Sequence, residues 1–286
     1  MERKVIVARE AGFCRGVRRA VTLSEETLEK EKGRLLYSLG PLIHNPSVIG
    51  KLSDKGMRLL DSEFTDGELQ ALPKDAIVLV RAHGIGKERR AALDACGREI
   101  LDGTCPHVIA IQRIIEKAAA EGDAVVILGD KGHAEVTGLL SYAKEGVVIS
   151  SKEEVKDLST RGRLTVVSQS TLDSSTFEEV KSEILKRFPE AKIHNTRCDA
   201  TEKRQREALE LCSECEAMVV IGGKNSANSN RLAKICGEAR PTFFVTDPES
   251  WDASELSNYR SIGVTAGAST PQSDIDLIVE KLRKLG

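Results

Sequence analysis

Cysteine and histidine carry most of the chemistry this chain can offer, and three of its cysteines share one setting. Cys14 lies between glycines in Gly12-Phe-Cys-Arg-Gly16, at a strand-to-helix turn. Cys105 closes Asp102-Gly-Thr-Cys and precedes Pro106, a residue suited to the first position of a helix. Cys198, in Asn195-Thr-Arg-Cys-Asp, also stands at a helix start. A helix N-terminus favours the thiolate, the form of cysteine that binds metals. Three thiolates brought to one point can hold Zn²⁺ or an iron–sulfur cluster. Zinc would recruit a fourth protein ligand or an open water. A 4Fe–4S cluster would keep one iron without a protein ligand, where substrate could bind while electrons enter. The usual ferredoxin spacing is absent, so spacing alone leaves the metal open.

The other four cysteines read as small core residues. Cys96 and Cys236 each precede glycine at the end of an apolar helical stripe. Cys212-Ser-Glu-Cys215 is a literal C-x-x-C, but it lacks the strand-to-helix setting of a redox motif, and no second pair completes a zinc site. Among five histidines, His107 and His194 have no loop setting that singles them out and are taken as structural. His44, His83 and His133 each follow an apolar run. With Ser226, Asn228 and Ser269 they would form a donor-rich cage, suited to an anion such as a diphosphate. No G-x-x-x-x-G-K-[ST] loop is present, so a P-loop nucleotide site is not indicated.

The elements that must position these residues recur three times. The runs 76–80, 124–128 and 217–221 are short, β-branched and unalternated, as expected for strands buried on both faces of a parallel sheet. A second series, 35–39, 164–167 and 261–264, behaves alike. Helix starts follow at Asn45-Pro46, at Thr270-Pro271, and at a capping box Ser175-x-x-Glu178. The cysteines set the register, with 91 residues from Cys14 to Cys105 and 93 from Cys105 to Cys198. Polar loops fall 30, 28 and 30 residues beyond each cysteine, at His44, His133 and Asn228, and again 69, 65 and 71 residues beyond, at His83, Ser170 and Ser269.

The expected fold is therefore α/β, with three pseudo-symmetric lobes, each a mainly parallel sheet with flanking helices, around a central site. The lobes are residues 15–104, 105–197 and 198–286, the last completed by an N-terminal strand within 1–14. Ligands in such sheets collect beyond the carboxyl ends of the strands.

Composition adds exclusions. Lys and Arg total 42 against 44 Asp and Glu, and neither a basic tract nor a row of stacking aromatics appears, so a nucleic-acid partner is not expected. No apolar run reaches the length needed to span a membrane, nor does the N-terminus carry a signal-like stretch. An odd set of seven cysteines in so long a chain points to the reducing cytoplasm.

The segments GFCRGVRRAV, LIHNPSVI, RAHG, DGTCPHV, GHAEVTGL, SQSTLDSS, CDATEKRQ, GGKNSANSNRLA and GVTAGASTP resemble, in order and over nearly the full length, the 4-hydroxy-3-methylbut-2-enyl diphosphate reductase family of the non-mevalonate isoprenoid pathway. The resemblance implies one 4Fe–4S cluster on Cys14, Cys105 and Cys198. It implies that the substrate's terminal alcohol meets the open iron, and that its diphosphate lies among His44, His83, His133, Ser170, Ser226, Ala227, Asn228 and Ser269. Two electrons and protonation would expel water to give isopentenyl and dimethylallyl diphosphate, with Glu135 matching the family's proton-delivering carboxylate. A small ferredoxin or flavodoxin is implied as electron donor. Two positions depart from the commonest pattern: Ser170 stands where threonine is usual, and Ala227 replaces a serine, which puts one diphosphate contact in doubt. A zinc-dependent hydrolase or transferase at the same cysteines, and a non-enzymatic iron–sulfur sensor, remain as other readings of the residues.

Overall fold

In the computed structural model, residues 3–160 and 162–285 are described. The chain opens with β1 (Lys4–Val7), the Cys14 loop and α1 (Arg15–Lys30). It continues through β2 (Leu36–Leu39), α2 (Pro46–Asp54), β3 (Arg58–Leu60), α3 (Asp66–Ala71), β4 (Ile77–Val80), α4 (Lys87–Ala95) and β5 (Glu99–Asp102). Beyond Cys105 come α5 (Pro106–Ala120), β6 (Ala124–Leu128), α6 (Ala134–Leu140), β7 (Gly146–Ile149), β8 (Leu164–Ser168), α7 (Ser174–Arg187) and β9 (Lys192–Ile193). Beyond Cys198 come α8 (Asp199–Glu214), β10 (Ala217–Ile221), α9 (Ala227–Ala239), β11 (Thr242–Val245), β12 (Ser261–Ala266) and α10 (Gln272–Lys284). Short 3-10 turns at Lys152–Asp157 and Ala253–Leu256 occupy the place that α3 takes in the first sheet.

These strands form three four-stranded sheets, ordered β3-β2-β4-β5, β7-β6-β8-β9 and β11-β10-β12-β1, and all nine strand pairs among the described residues are parallel. The order is the same in each. The chain leaves the second strand toward one edge, returns past it to the third, and finishes at the other edge. That reversal makes a crevice at the carboxyl ends of the two central strands. The β2, β6 and β10 loops carry His44, His133 and Asn228; the β4, β8 and β12 loops carry His83, Ser170 and Ser269. The outermost strands β5, β9 and β1 run on to Cys105, Cys198 and Cys14. The register read from cysteine spacing thus corresponds to one repeated topology.

Burial follows from the sheet. Along β10, Ala217, Val219 and Ile221 pack with Ile275, Ile278 and Leu282, while Met218 and Val220 pack on the other face with Ala208, Leu211, Leu232 and Cys236. A strand covered on both faces has no polar side to show, which is why its run does not alternate. By their contacts the residues fall into two compact units: Met1–Arg18, His44–Val48 and Asp199–Gly286 in one, and Arg19–Ile43 and Ile49–Cys198 in the other.

Two helix starts differ from the sequence reading. Helix α7 is capped by Asp173, whose Oδ1 accepts from the Thr176 amide at 2.8 Å and from Ser175 Oγ at 2.7 Å. A carboxylate two residues upstream is the stronger acceptor, so Ser175 becomes a donor instead of the cap. Helix α10 begins after Pro271, because the Thr270 hydroxyl turns inward to donate to Ile221 O at 3.0 Å. Asn45 does cap α2, accepting from the Val48 amide at 3.1 Å. No described helix is long and apolar enough to cross a membrane.

Cys96, Cys212, Cys215 and Cys236 are at most 4% exposed, and burial pushes the thiols of Cys212, Cys215 and Cys236 up from their ordinary value. A neutral, shielded thiol neither ligates nor alkylates. Iodoacetamide at a pH near 8 should therefore leave these four unlabelled in the folded protein and label them in denaturant, as peptide mapping by mass spectrometry would read.

Candidate functional site

Each of the three helix-starting cysteines is half-buried, in contrast to the four buried core thiols. Cys14 immediately precedes α1, Cys105 is the N-cap of α5, and Cys198 immediately precedes α8. The Val17 amide points at Cys14 Sγ at 3.5 Å, a sulfur-directed donor in the first turn. Their main chains are tied alike. The Cys14 amide donates to Ala268 O at 3.2 Å, that of Cys105 to Ala82 O at 3.0 Å, and that of Cys198 to Ser170 O at 2.8 Å. Every acceptor lies in the loop leaving the third strand of the cysteine's own sheet. Three accessible thiols at helix N-termini are a donor set that fits an iron–sulfur cluster, since the helix ends favour thiolate.

In the unit that holds β2 to β9, the rings of His83 and His133 meet edge to face, with centroids 5.7 Å apart. His133 caps α6 by accepting the Glu135 amide on Nδ1 at 3.2 Å. In the neutral ring this puts the proton on Nε2, making that nitrogen a donor suited to a phosphate oxygen. Glu135 is 2% exposed. Its two carboxylate oxygens accept from the Ser170 amide and the Ser170 hydroxyl, both at 2.7 Å. The carboxylate thus engages a loop from another strand and does not serve merely as an acid on the helix dipole. Ser170 keeps its hydroxyl in this contact without the β-methyl of threonine.

In the other unit, Ser226 caps α9, accepting the Ser229 amide at 3.3 Å. Ala227 opens that helix with a half-buried methyl and no polar group. Asn228 is 4% exposed, and both polar atoms of its amide lack a partner in the protein. Leaving a buried amide unmatched is costly, so such a group is poised for a ligand. Ser269 donates to His44 O at 3.3 Å. His44 O also lies 2.4 Å from where a Cβ on Gly223 would stand, so only glycine admits the His44 backbone there. Gly223 escaped the sequence reading; its one signal was the glycine pair at 222–223. Of the other histidines, His107 makes a bond described below.

These features can be set beside known proteins. The family model described as LytB protein matches residues 5–283. The 4-hydroxy-3-methylbut-2-enyl diphosphate reductase of Caldanaerobacter subterraneus subsp. tengcongensis is 37% identical over 284 residues, covering 99% of this chain and 97% of that protein. The solved structure of the E-1-hydroxy-2-methyl-but-2-enyl-4-diphosphate reductase from Plasmodium falciparum is similar with a TM-score of 0.89 at 25% identity, covering 98% of this chain and 88% of that one. A second solved structure, an (E)-4-hydroxy-3-methyl-but-2-enyl diphosphate reductase described as the terminal enzyme of the non-mevalonate pathway, gives a TM-score of 0.71 at 35% identity and covers 99% of both chains. A match that begins inside β1 and ends inside α10 takes in all three sheets and all three cysteine loops, and the chain belongs to the LytB family.

Proposed function

We propose that this chain is an oxidoreductase that removes the hydroxyl group of 4-hydroxy-3-methylbut-2-enyl diphosphate, giving isopentenyl and dimethylallyl diphosphate in the last step of the non-mevalonate pathway. The observation that carries this reading is the threefold recurrence of a half-buried cysteine ahead of a long helix, each with its amide tied to the same loop of its sheet. Cys14, Cys105 and Cys198 hold one 4Fe–4S cluster. When bound, such a cluster supplies electrons singly and one iron open to the substrate's hydroxyl oxygen. The electrons come from a small carrier such as ferredoxin or flavodoxin. The lobes are residues 15–104, 105–197 and 198–286 with 1–14, and an odd set of seven cysteines in so long a chain suits the reducing cytoplasm.

Loss of hydroxyl as water takes in two electrons and two protons, so the site needs an acid. Glu135 and Ser170 provide a relay. Protonated Glu135 gives one proton to Ser170 Oγ, which passes its own to the departing oxygen to complete water. The second proton, from solvent, goes to carbon, and the bond from Ser170 Oγ to the carboxylate is the arrangement after Glu135 has given up its proton. The Ser170 amide holds the carboxylate in place for this step. The diphosphate is received by His44, His83 and His133, by Ser226 and Ser269, and by the unmatched amide of Asn228. Ala227 contributes no side-chain hydrogen bond.

Purification without oxygen, with iron and sulfide analysis and assay of the diphosphate, tests the whole reading. Cys14→Ser, Cys105→Ser or Cys198→Ser should each lose the cluster, whereas Cys212→Ser and Cys215→Ser should stay brown. Bleaching by the second pair alone would refute the ligand assignment. Glu135→Gln keeps the Ser170 amide bond through its amide oxygen and can donate its NH2 to the Ser170 hydroxyl, but cannot release a proton. Its turnover should fall by roughly 10²-fold or more with cluster content unchanged; near-normal kcat would remove Glu135 from the mechanism. For Asn228→Ala, loss of a hydrogen bond to a charged ligand, worth about 1.5–3 kcal/mol, predicts a KM raised roughly ten- to a hundredfold, and an unchanged KM would place the diphosphate elsewhere.

A further inference from the structure

We infer that Arg19, His107 and Arg204 are positioning residues that set the three cysteine loops before any cluster is bound, an inference that rests on the reading of Cys14, Cys105 and Cys198 as ligands. Each helix that follows one of these cysteines carries a donor ending on main-chain carbonyls ahead of another. On α8, six residues beyond Cys198, Arg204 donates from Nε to Glu10 O at 2.7 Å and from Nη2 to Gly12 O at 3.0 Å. On α1, five residues beyond Cys14, Arg19 donates from Nη2 to Asp102 O at 2.9 Å and from Nη1 to Thr104 O at 3.3 Å. On α5, two residues beyond Cys105, His107 Nε2 lies 2.7 Å from Thr196 O. A carbonyl can only accept, so that ring nitrogen is the donor. Thus α1 serves the Cys105 loop, α5 the Cys198 loop and α8 the Cys14 loop.

The Arg204 clamp is the most built of the three. One turn further along α8, Glu207 accepts the amides of Arg9 and Glu10 at 2.7 and 2.8 Å. The loop ahead of Cys14 is therefore gripped through two carbonyls and two amides by one helix. Arg204 is 2% exposed, the largest fully buried side chain among the described residues. Burying a guanidinium is costly, and an apolar side chain of similar volume is often as stabilising or more so. What the arginine adds is direction: a planar fork fixes two carbonyls at once. A loop fixed during folding need not be ordered again when metal arrives, which favours retention of the metal.

Hydrogen exchange on the full chain without cluster, and the rate at which a strong iron chelator strips the loaded enzyme, test this together. In Arg204→Gln, amides at 9–14 should exchange faster while those at 102–105 do not change. The cluster should be stripped at least about tenfold faster, and the electron paramagnetic resonance line shape of the reduced cluster should alter. Arg204→Lys should restore part of each, and Arg206→Gln, on the exposed side of the same helix, should match the parent. Arg19→Gln should reverse the pattern, loosening 102–105 and sparing 9–14. Should Arg204→Gln fail to fold, Arg204→Lys and Arg19→Gln carry the same expectations. Parent-like exchange in the matching loop, or parent-like retention of the cluster, overturns the inference. If the parent chain takes up no iron and sulfide, the functional reading fails, and the exchange measurement alone decides whether the clamps exist.

Discussion

The amides of Cys14, Cys105 and Cys198 each donate to a carbonyl in the loop that leaves the third strand of their sheet. That bond fixes where the cysteine stands relative to the crevice between the two central strands, and the helix that follows takes its direction from it. The crossover order makes the bond possible, because only a chain that doubles back past its second strand brings the third-strand loop beside the outermost strand. The same doubling back delivers the polar loops to the carboxyl ends of the central strands. Thiol chemistry and anion chemistry thus share one topological cause.

Within that frame the polar residues divide their work by what their neighbours leave them. His133 spends Nδ1 on capping its helix, which in the neutral ring puts its N–H on Nε2. Glu135, two residues on, lies in the first turn of that helix and turns both oxygens to Ser170. Asn228 has neither assignment, and both polar atoms of its buried amide are without a hydrogen-bond partner among the described residues. Ser226 differs: its hydroxyl oxygen accepts from both the amide and the hydroxyl of Ser229, which leaves its O–H as the one group to offer an anion.

Much of this was legible in the sequence, for identifiable reasons. The central strands announce themselves as unalternated apolar runs because both faces are covered, and equal cysteine spacing exposes the repeat. The edge strands β3, β7, β9 and β11 were not legible. They are two to four residues long and only partly buried; β7 and β11 do carry apolar runs, Val147–Ile149 and Phe243–Val245, but three residues are too few to mark a strand. The start of α7 was placed two residues late because a capping-box pattern competed with a better acceptor at Asp173. Arg204 was invisible for a different reason: its partners lie 192 and 194 positions away, and nothing local distinguishes it from an exposed helical arginine.

The pairing of β1 with β12 joins Lys4 to Ser261, so the first strand of the described residues is matched to the last. The two sheets formed from β2 to β9 can be completed while synthesis continues, whereas β1 must wait for β12. Domains generally fold in the order of their emergence, and contacts this distant in sequence close slowly. Of the three cysteines, Cys14 follows the strand that waits longest, so a nascent chain offers two finished cysteine loops well before the third. The Cys14 loop is thus made first and framed last, since its strand has no partner until β12 has been made.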